Sequence, residues 1–255
     1  MKIALITGGL PRFTPDFLKL MSQLKGFDSA DIYMTIWSTD WASTDEQARA
    51  KIEKVLLPKY KLARVQIVDE PTYELPPHSI TLSPPTEQKY ITWHYKRIYS
   101  GTLGVTWAYE LLEDKEYDAV VVFRLDVSMD RDIDLSQYDF SNNQLVCPSN
   151  GHAGLPDFKV NDLLVFGSQQ SMKTYCELGK YVKELVPLAD PRWADTDFYN
   201  DQWTWSRECL IGYYMKQHNI PWTYGNFNVI MNSFGRSRFT DKHYHHPIAV
   251  DPTEL

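Results

Sequence analysis

Residues 118–126 read Asp118-Ala119-Val120-Val121-Val122-Phe123-Arg124-Leu125-Asp126, a near-continuous apolar run that stops at a charged triplet. A strand that is apolar along its whole length is typical of a parallel sheet covered on both faces. In open parallel sheets, ligands bind outside the carboxyl ends of the strands, so Asp126 is expected to point into a crevice. The alternative is an aspartate that caps the turn after the strand.

Strand-like and helix-like segments alternate on the amino-terminal side of this run. Strands are predicted at residues 2–7, 31–37 and 65–68, and helices at residues 15–24 and 44–57, the last with Thr44 as N-cap. A longer helix is predicted over residues 91–112, where apolar side chains recur at intervals of four and three. The alternation predicts βαβ units, and thus an α/β fold with a mostly parallel central sheet flanked by helices.

The carboxyl-terminal half has a less regular pattern. Strands are predicted at residues 145–148 and 163–166, and helices at residues 169–185 and 205–217. Five prolines within residues 71–85 predict a long surface loop. Because no repeat or linker interrupts the chain, we expect a single domain over residues 1–255.

Composition excludes several classes of protein. The net charge of −7 argues against a protein that binds duplex nucleic acid. No apolar run reaches the roughly 18 residues that a membrane-spanning helix needs, so no integral membrane segment is expected. The three cysteines are odd in number and far apart, which disfavours a disulfide framework and indicates a reducing, cytoplasmic compartment.

The turn after the first predicted strand is a candidate ligand-binding turn. Thr7, Gly8 and Gly9 are followed by Arg12, without the glycine pattern of dinucleotide folds or the lysine of P-loops. Two glycines let a ligand approach the backbone closely, and Arg12 could face a phosphate. A tight turn with a solvated arginine is the alternative.

Metal-ligating and catalytic candidates lie elsewhere in the chain. Asp126 offers the hard oxygen ligand that Mg²⁺ or Mn²⁺ prefers, and His243 and His246 belong to a histidine cluster that could complete the coordination of Mn²⁺. A solvated tail is the alternative for the histidines. Asp162 and Asp201 stand at junctions between loops and regular elements, where helix capping is the default explanation. The acids and aromatic rings of residues 190–208, which include Asp201 and Glu208, could instead line a sugar pocket.

Four stretches together resemble a known family. Residues 3–12 resemble a strand followed by "G-x-x-R", residues 31–38 resemble "D-[IV]-[FY]-x-x-x-W", residues 117–126 resemble "Y-D-x-V-[IV]-x-x-R-x-D", and residues 161–168 resemble "N-D-x-[FL]-x-[FAI]-G-[ND]". In this order they are similar to motifs of the GT-A fold nucleotide-sugar glycosyltransferases found in bacterial and viral polysaccharide gene sets. Asp201-Gln202 also looks like the "D-Q" of retaining GT-A galactosyltransferases.

The resemblance implies one GT-A-like domain, with residues 1–130 as the donor half and residues 131–255 as the acceptor half. It implies a UDP- or GDP-sugar donor, most often a UDP-hexose, a saccharide or glycan acceptor, and Mn²⁺ or Mg²⁺ at Asp126. One departure is notable, because Arg124 stands where the usual D-x-D motif has its first acid. Either a histidine compensates, or Arg124 itself neutralises the diphosphate.

These considerations give a set of expected site residues. Donor binding is assigned to Thr7, Gly8, Gly9, Arg12, Trp37, Arg97 and Arg124, metal binding to Asp126, His243 and His246, and catalysis to Asp201 or, second, Asp162. Two other functions stay open, because one fold hosts several chemistries: a non-catalytic nucleotide- or carbohydrate-binding protein, and a sugar-phosphate nucleotidyltransferase. Release of UDP or GDP indicates a glycosyltransferase, and binding without turnover indicates a binding protein. Release of pyrophosphate indicates a nucleotidyltransferase.

Overall fold

The regular elements alternate as the sequence predicts. The structure, a computed structural model, describes residues 1–11, 13–38, 42–73, 88–149, 160–188, 207–230 and 252–254, with the backbone alone for residues 88–95, 97, 186–188, 209 and 254. Its strands are β1 (Ile3–Gly9), β2 (Leu24–Lys25), β3 (Ala30–Trp37), β4 (Tyr60–Val68), β5 (Ala119–Phe123), β6 (Ser128–Met129), β7 (Ile133–Asp134), β8 (Leu145–Cys147), β9 (Leu164–Gly167), β10 (Trp222–Tyr224) and β11 (Val229–Ile230). Its α-helices are α1 (Pro15–Gln23), α2 (Asp45–Ile52), α3 (Gln88–Glu110), α4 (Gln169–Leu188) and α5 (Arg207–Gln217).

Seven strands form one central sheet in the order β10-β8-β9-β5-β1-β3-β4. All neighbours pair in parallel except β9, which runs antiparallel to both β5 and β8. The other strands form two small ladders, β6 with β11 and β2 with β7. The fold is therefore the expected α/β arrangement, a mostly parallel sheet flanked by helices in a Rossmann-like domain.

The side chains of β1 alternate between two hydrophobic layers. Ile3 and Leu5 join the layer that includes α1 and α2, whereas Ala4 and Ile6 join the layer that includes α3, α4 and α5. All five residues of β5 are buried, because β5 lies inside the sheet with helices over both of its faces. The apolar run that predicted a doubly covered strand is thus confirmed.

The chain reverses its direction of travel across the sheet at β1. From β1 it moves outward through β3 to β4, and then α3 carries it back to β5 on the other side of β1. Helices change from one face to the other at this point because parallel crossovers are right-handed. The boundary between β1 and β5 is therefore the topological switch point, where open α/β sheets have a crevice at the carboxyl ends of the strands.

Two predicted boundaries are wrong. The helix that was predicted to reach Leu57 ends at Ile52, because residues 53–59 must turn the chain back before Tyr60 pairs with Ala30. The strand predicted at residues 65–68 already begins at Tyr60, whose side chain is buried with that of Leu62. The helix over residues 91–112 is confirmed, with Ile98, Thr102 and Val105 of its predicted stripe buried.

Candidate functional site

The carboxyl end of β1 is a close contact between backbone segments. A methyl group on Gly8 would lie 2.1 Å from the carbonyl carbon of Gly104 in α3, so the two chains approach as nearly as glycine allows. Gly9 follows with φ +115°, a backbone conformation that residues other than glycine rarely adopt. The two glycines are thus required by packing and by the turn, whatever else they bind.

Thr7 and Trp37 lie at the same edge of the sheet, and both are buried. The Trp37 ring packs edge-on against Trp107 of α3, with ring centres 5.7 Å apart, and lies against Gly104. These contacts give Trp37 a packing role, and its contact with a base or ribose stays a prediction.

Arg124 and Asp126 form a bidentate ion pair directly after β5. Arg124 Nε donates to Asp126 Oδ1 at 2.8 Å, and Nη2 donates to Oδ2 at 2.6 Å. The exposed fractions of the two side chains are 27% and 19%. Parallel donors on a carboxylate fix the orientation of the guanidinium as well as its position.

The electrostatic surroundings keep Arg124 protonated. Burial lowers the pKa of Arg124, but the charge and hydrogen bonds of Asp126, followed by the charges of Asp162 and Glu208, raise it further, so that the net shift is upward. Three carboxylates therefore lie within electrostatic reach of this guanidinium.

Asp162 comes to this edge because β9 is antiparallel. The first residue of β9, Leu164, pairs with Phe123 at the carboxyl end of β5, and the main-chain N–H of Arg124 donates to the carbonyl of Leu163 at 3.1 Å. Asn161 stabilises the entry into β9, since its Oδ1 accepts from the N–H of Leu163 at 2.9 Å. Had β9 been parallel, Asp162 would lie at the opposite edge of the sheet.

A second ion pair holds Asp162. Its Oδ2 is 3.1 Å from Nη1 of Arg207, the first residue of α5, and the exposed fractions of the two side chains are 9% and 17%. Arg207 Nη2 donates to the carbonyl of Gly101 in α3 at 3.1 Å. The next residue, Glu208, accepts with its carbonyl from the N–H of Val160 at 3.1 Å. The start of α5 is thereby tied to both α3 and the segment that leads into β9.

We name these five side chains the charged cluster: Arg124, Asp126, Asp162, Arg207 and Glu208. Two guanidinium groups face three carboxylates, so the cluster is not cationic by itself. It presents oriented hydrogen-bond donors and acceptors at the carboxyl edge of β5, beside the switch point. Such an array suits a ligand that is rich in hydroxyl groups.

Arg207 was not among the residues expected from sequence, whereas Glu208 was expected only as one of the acids that could line a sugar pocket. Arg207 is an arginine in the first turn of a helix, where the macrodipole disfavours a cation. An arginine at that position indicates a specific anionic partner, and this was the feature of the sequence from which Arg207 could have been identified. The partner, Asp162, is 45 residues away in the chain, so nothing local identifies it.

Several expected site residues lie outside the described part of the chain: Arg12, Asp201, His243, His246 and the side chain of Arg97. Within the described part, no three side chains of His, Cys, Asp or Glu form a group that could hold a metal ion. Nor does any described helix combine the length and apolarity that a membrane crossing requires.

Comparisons with known proteins add no family. No protein-family model matches the chain, and a search of curated proteins finds no significant match.

Proposed function

We propose that this chain is a glycosyltransferase that moves a sugar from a UDP- or GDP-sugar to a saccharide or glycan acceptor. One observation carries the proposal: two of the motifs that resemble the family, Gly8-Gly9 and Arg124-Leu125-Asp126, end adjacent strands at the topological switch point. This is where open α/β sheets bind nucleotides. A third motif, Asn161-Asp162, is brought to the same edge by the antiparallel β9.

The reaction places demands on charge that the cluster meets in part. Negative charge builds on the departing diphosphate, and oriented cations stabilise it in the transition state. Arg124 is oriented for this by Asp126. Because the charges of three carboxylates act on Arg124, the proposal needs further cations, and Arg12 and Arg97 are the residues predicted for that role.

The described residues do not fit a divalent cation as they stand. Both carboxylate oxygens of Asp126 accept from Arg124, and no group of three ligands forms around them in the described ranges. The predicted Mn²⁺ or Mg²⁺ would have to displace the guanidinium and take ligands from elsewhere, such as His243 and His246. We therefore assign charge neutralisation to arginine, and a metal titration tests the sequence prediction.

Ligand binding is the first test. UDP, GDP, UDP-glucose and GDP-mannose are screened by thermal shift with Mn²⁺ and with EDTA, since a ligand at 100 times its Kd stabilises by about 2.7 kcal/mol. Arg124→Gln is expected to raise the Kd of the bound nucleotide about tenfold, the loss of one charge-assisted contact. Arg49→Gln is the matched control, because Arg49 binds the Leu62 and Ala63 carbonyls of β4 away from the crevice.

Turnover then separates the candidate functions. Release of UDP or GDP in the presence of saccharide acceptors supports transfer, whereas release of pyrophosphate from a sugar phosphate and a nucleoside triphosphate indicates a nucleotidyltransferase. Binding without turnover indicates a binding protein. Absence of any nucleotide binding, with or without Mn²⁺, contradicts the proposal.

We also propose that the protein works in the cytoplasm. The two thiols in the described part of the chain, Cys147 and Cys176, are free and buried. Free buried thiols are typical of reducing compartments.

A further inference from the structure

The guanidinium of Arg207 is held between two elements and a carboxylate. One terminal nitrogen lies against Asp162, and the other donates to the carbonyl of Gly101. Gly101 lets the guanidinium pack closely against α3, because a methyl group there would lie 3.0 Å from Arg207 Nη1 and 3.5 Å from Cζ. The side chain therefore has a defined place in the fold and is not a solvated surface charge.

This arrangement leaves Asp162 oriented. The ion pair engages Oδ2, so Oδ1 is the carboxylate oxygen that lies outside the pair. A carboxylate accepts hydrogen bonds only, so its natural partner is a donor such as a hydroxyl group. A phosphate oxygen is a poor partner, because it is an acceptor and carries the same charge.

Asp162 also lies close to the residues assigned to the donor. Its neighbour Leu163 accepts from the main-chain N–H of Arg124, and its charge contributes to the raised pKa of that arginine. A group bound to Asp162 would thus lie next to whatever Arg124 binds. In a nucleotide sugar, the group next to the diphosphate is the sugar ring, which is rich in hydroxyl donors.

We propose that Asp162 accepts a hydrogen bond from a hydroxyl of the transferred sugar, and that Arg207 is the positioning residue that orients it. The inference rests on the proposed function and deepens it. The Asp162–Arg207 pair would thus recognise the sugar of the donor and not its nucleotide.

The test compares the affinity for a nucleotide sugar with the affinity for the nucleotide alone. Calorimetry measures the Kd of UDP and UDP-glucose, or of GDP and GDP-mannose if wild type binds that pair. The ratio of the two Kd values isolates the contribution of the sugar. In Asp162→Asn and Arg207→Gln, this contribution is expected to fall about tenfold while the Kd of the free nucleotide changes less than twofold.

Two further variants separate positioning from general stability. Arg207→Lys is expected to restore part of the sugar contribution, because an ammonium can pair with Asp162 but lacks the planar fork that also reaches Gly101. Lys180→Gln is the control, since Lys180 forms a 2.9 Å ion pair with Glu110 between α4 and α3, away from the cluster. Its Kd ratio is expected to match wild type.

The outcomes distinguish failure of this inference from failure of the proposed function. An unchanged ratio in Asp162→Asn overturns the inference, even if Arg207→Gln fails to fold. Wild type that binds the free nucleotide and the nucleotide sugar equally well also overturns it, but leaves the proposed function standing. Wild type that binds neither ligand contradicts both.

Discussion

At the scale of single residues, the charged cluster shows why a half-buried guanidinium needs a particular partner. Arg124 has lost much of its contact with water, and Asp126 compensates with two parallel hydrogen bonds. Removal of one member of a buried pair costs more than the pair itself contributes, because the other charge is left without compensation.

We predict that Asp126→Asn lowers the free energy of unfolding by about 2 kcal/mol, less than for a fully buried pair since both side chains keep some exposure. Urea denaturation measures the change. The matched control is Asp132→Asn, which removes an exposed aspartate 3.7 Å from Lys25. That variant is expected to change stability by less than about 0.5 kcal/mol, as exposed pairs contribute little. Equal effects of the two variants would contradict the assignment.

The two described thiols are predicted to be unreactive in the folded protein. Burial raises the pKa of Cys147 to about 12, and it also raises the pKa of Cys176. Because the thiolate is the reactive form, iodoacetamide at pH 8 is expected to leave both unmodified in the native state and to modify them in urea. Mass spectrometry of peptides reads out each site. Native-state labelling as rapid as in urea would show that neither thiol is protected.

At the scale of elements, the contact of α3 with β1 decides where the crevice lies. Gly104 faces Gly8 and Gly9 so closely that the helix backbone rests on the end of the strand. The helix reaches this depth only because neither partner carries a side chain at the contact.

Gly104→Ala is accordingly predicted to destabilise the protein. In a helix this substitution normally stabilises by about 1 kcal/mol. Here the new methyl group would lie 2.7 Å from Gly9 N and 2.9 Å from Gly8 C, so we expect a loss of roughly 1–3 kcal/mol from overpacking. Thermal denaturation gives the sign directly. Lys173→Ala, at an exposed position of α4, is the control and is expected to be near neutral.

Elements were predictable where their pattern is local. The apolar run of β5 and the spacing of Ile98, Thr102 and Val105 in α3 each reflect burial by the neighbouring layers, so the pattern alone located them. Strand β10 was missed because it is three residues long and partly exposed. The direction of β9 could not be predicted either, since its four buried residues read the same in a parallel or an antiparallel strand.

In the candidate site, too, features with a local sequence pattern were predictable and features that depend on distant parts of the chain were not. The position of Asp126 at a carboxyl end followed from the strand before it. Its bidentate pairing with Arg124 did not, because the sequence suggested a metal ligand there. The pairing of Asp162 with Arg207 depends on the antiparallel β9 and on Gly101, neither of which has a local sequence signal.

At the scale of the whole molecule, stability is expected to fall in acid for an identifiable reason. The N–H and side chain of Asn228 lower the pKa of Asp130, and the hydroxyl and N–H of Ser136 and Ser141 lower the pKa of Asp134 and Asp139. A lowered pKa means that the unfolded chain binds the proton more tightly, so this stabilisation is present above the unfolded value, near 3.8, and is lost below it.

Melting temperature measured from pH 6 to pH 3 is therefore expected to fall most steeply below about pH 4. Replacement of all three aspartates by asparagine should flatten the steep part of the curve. An unchanged slope in the triple variant would assign the acid sensitivity to other carboxylates.

The antiparallel β9 has a consequence for how the molecule is made. Strands β1, β3, β4 and β5 are complete once the ribosome has passed residue 123, yet the outer edge of β5 has to wait for residues 164–167. Until then a row of unpaired main-chain N–H and C=O groups on that edge faces the surroundings. Such an open edge is a template for pairing with another chain. Nascent chains that stall before β9 are thus the form of this protein that most needs a chaperone, and β9 is the strand that ends that need.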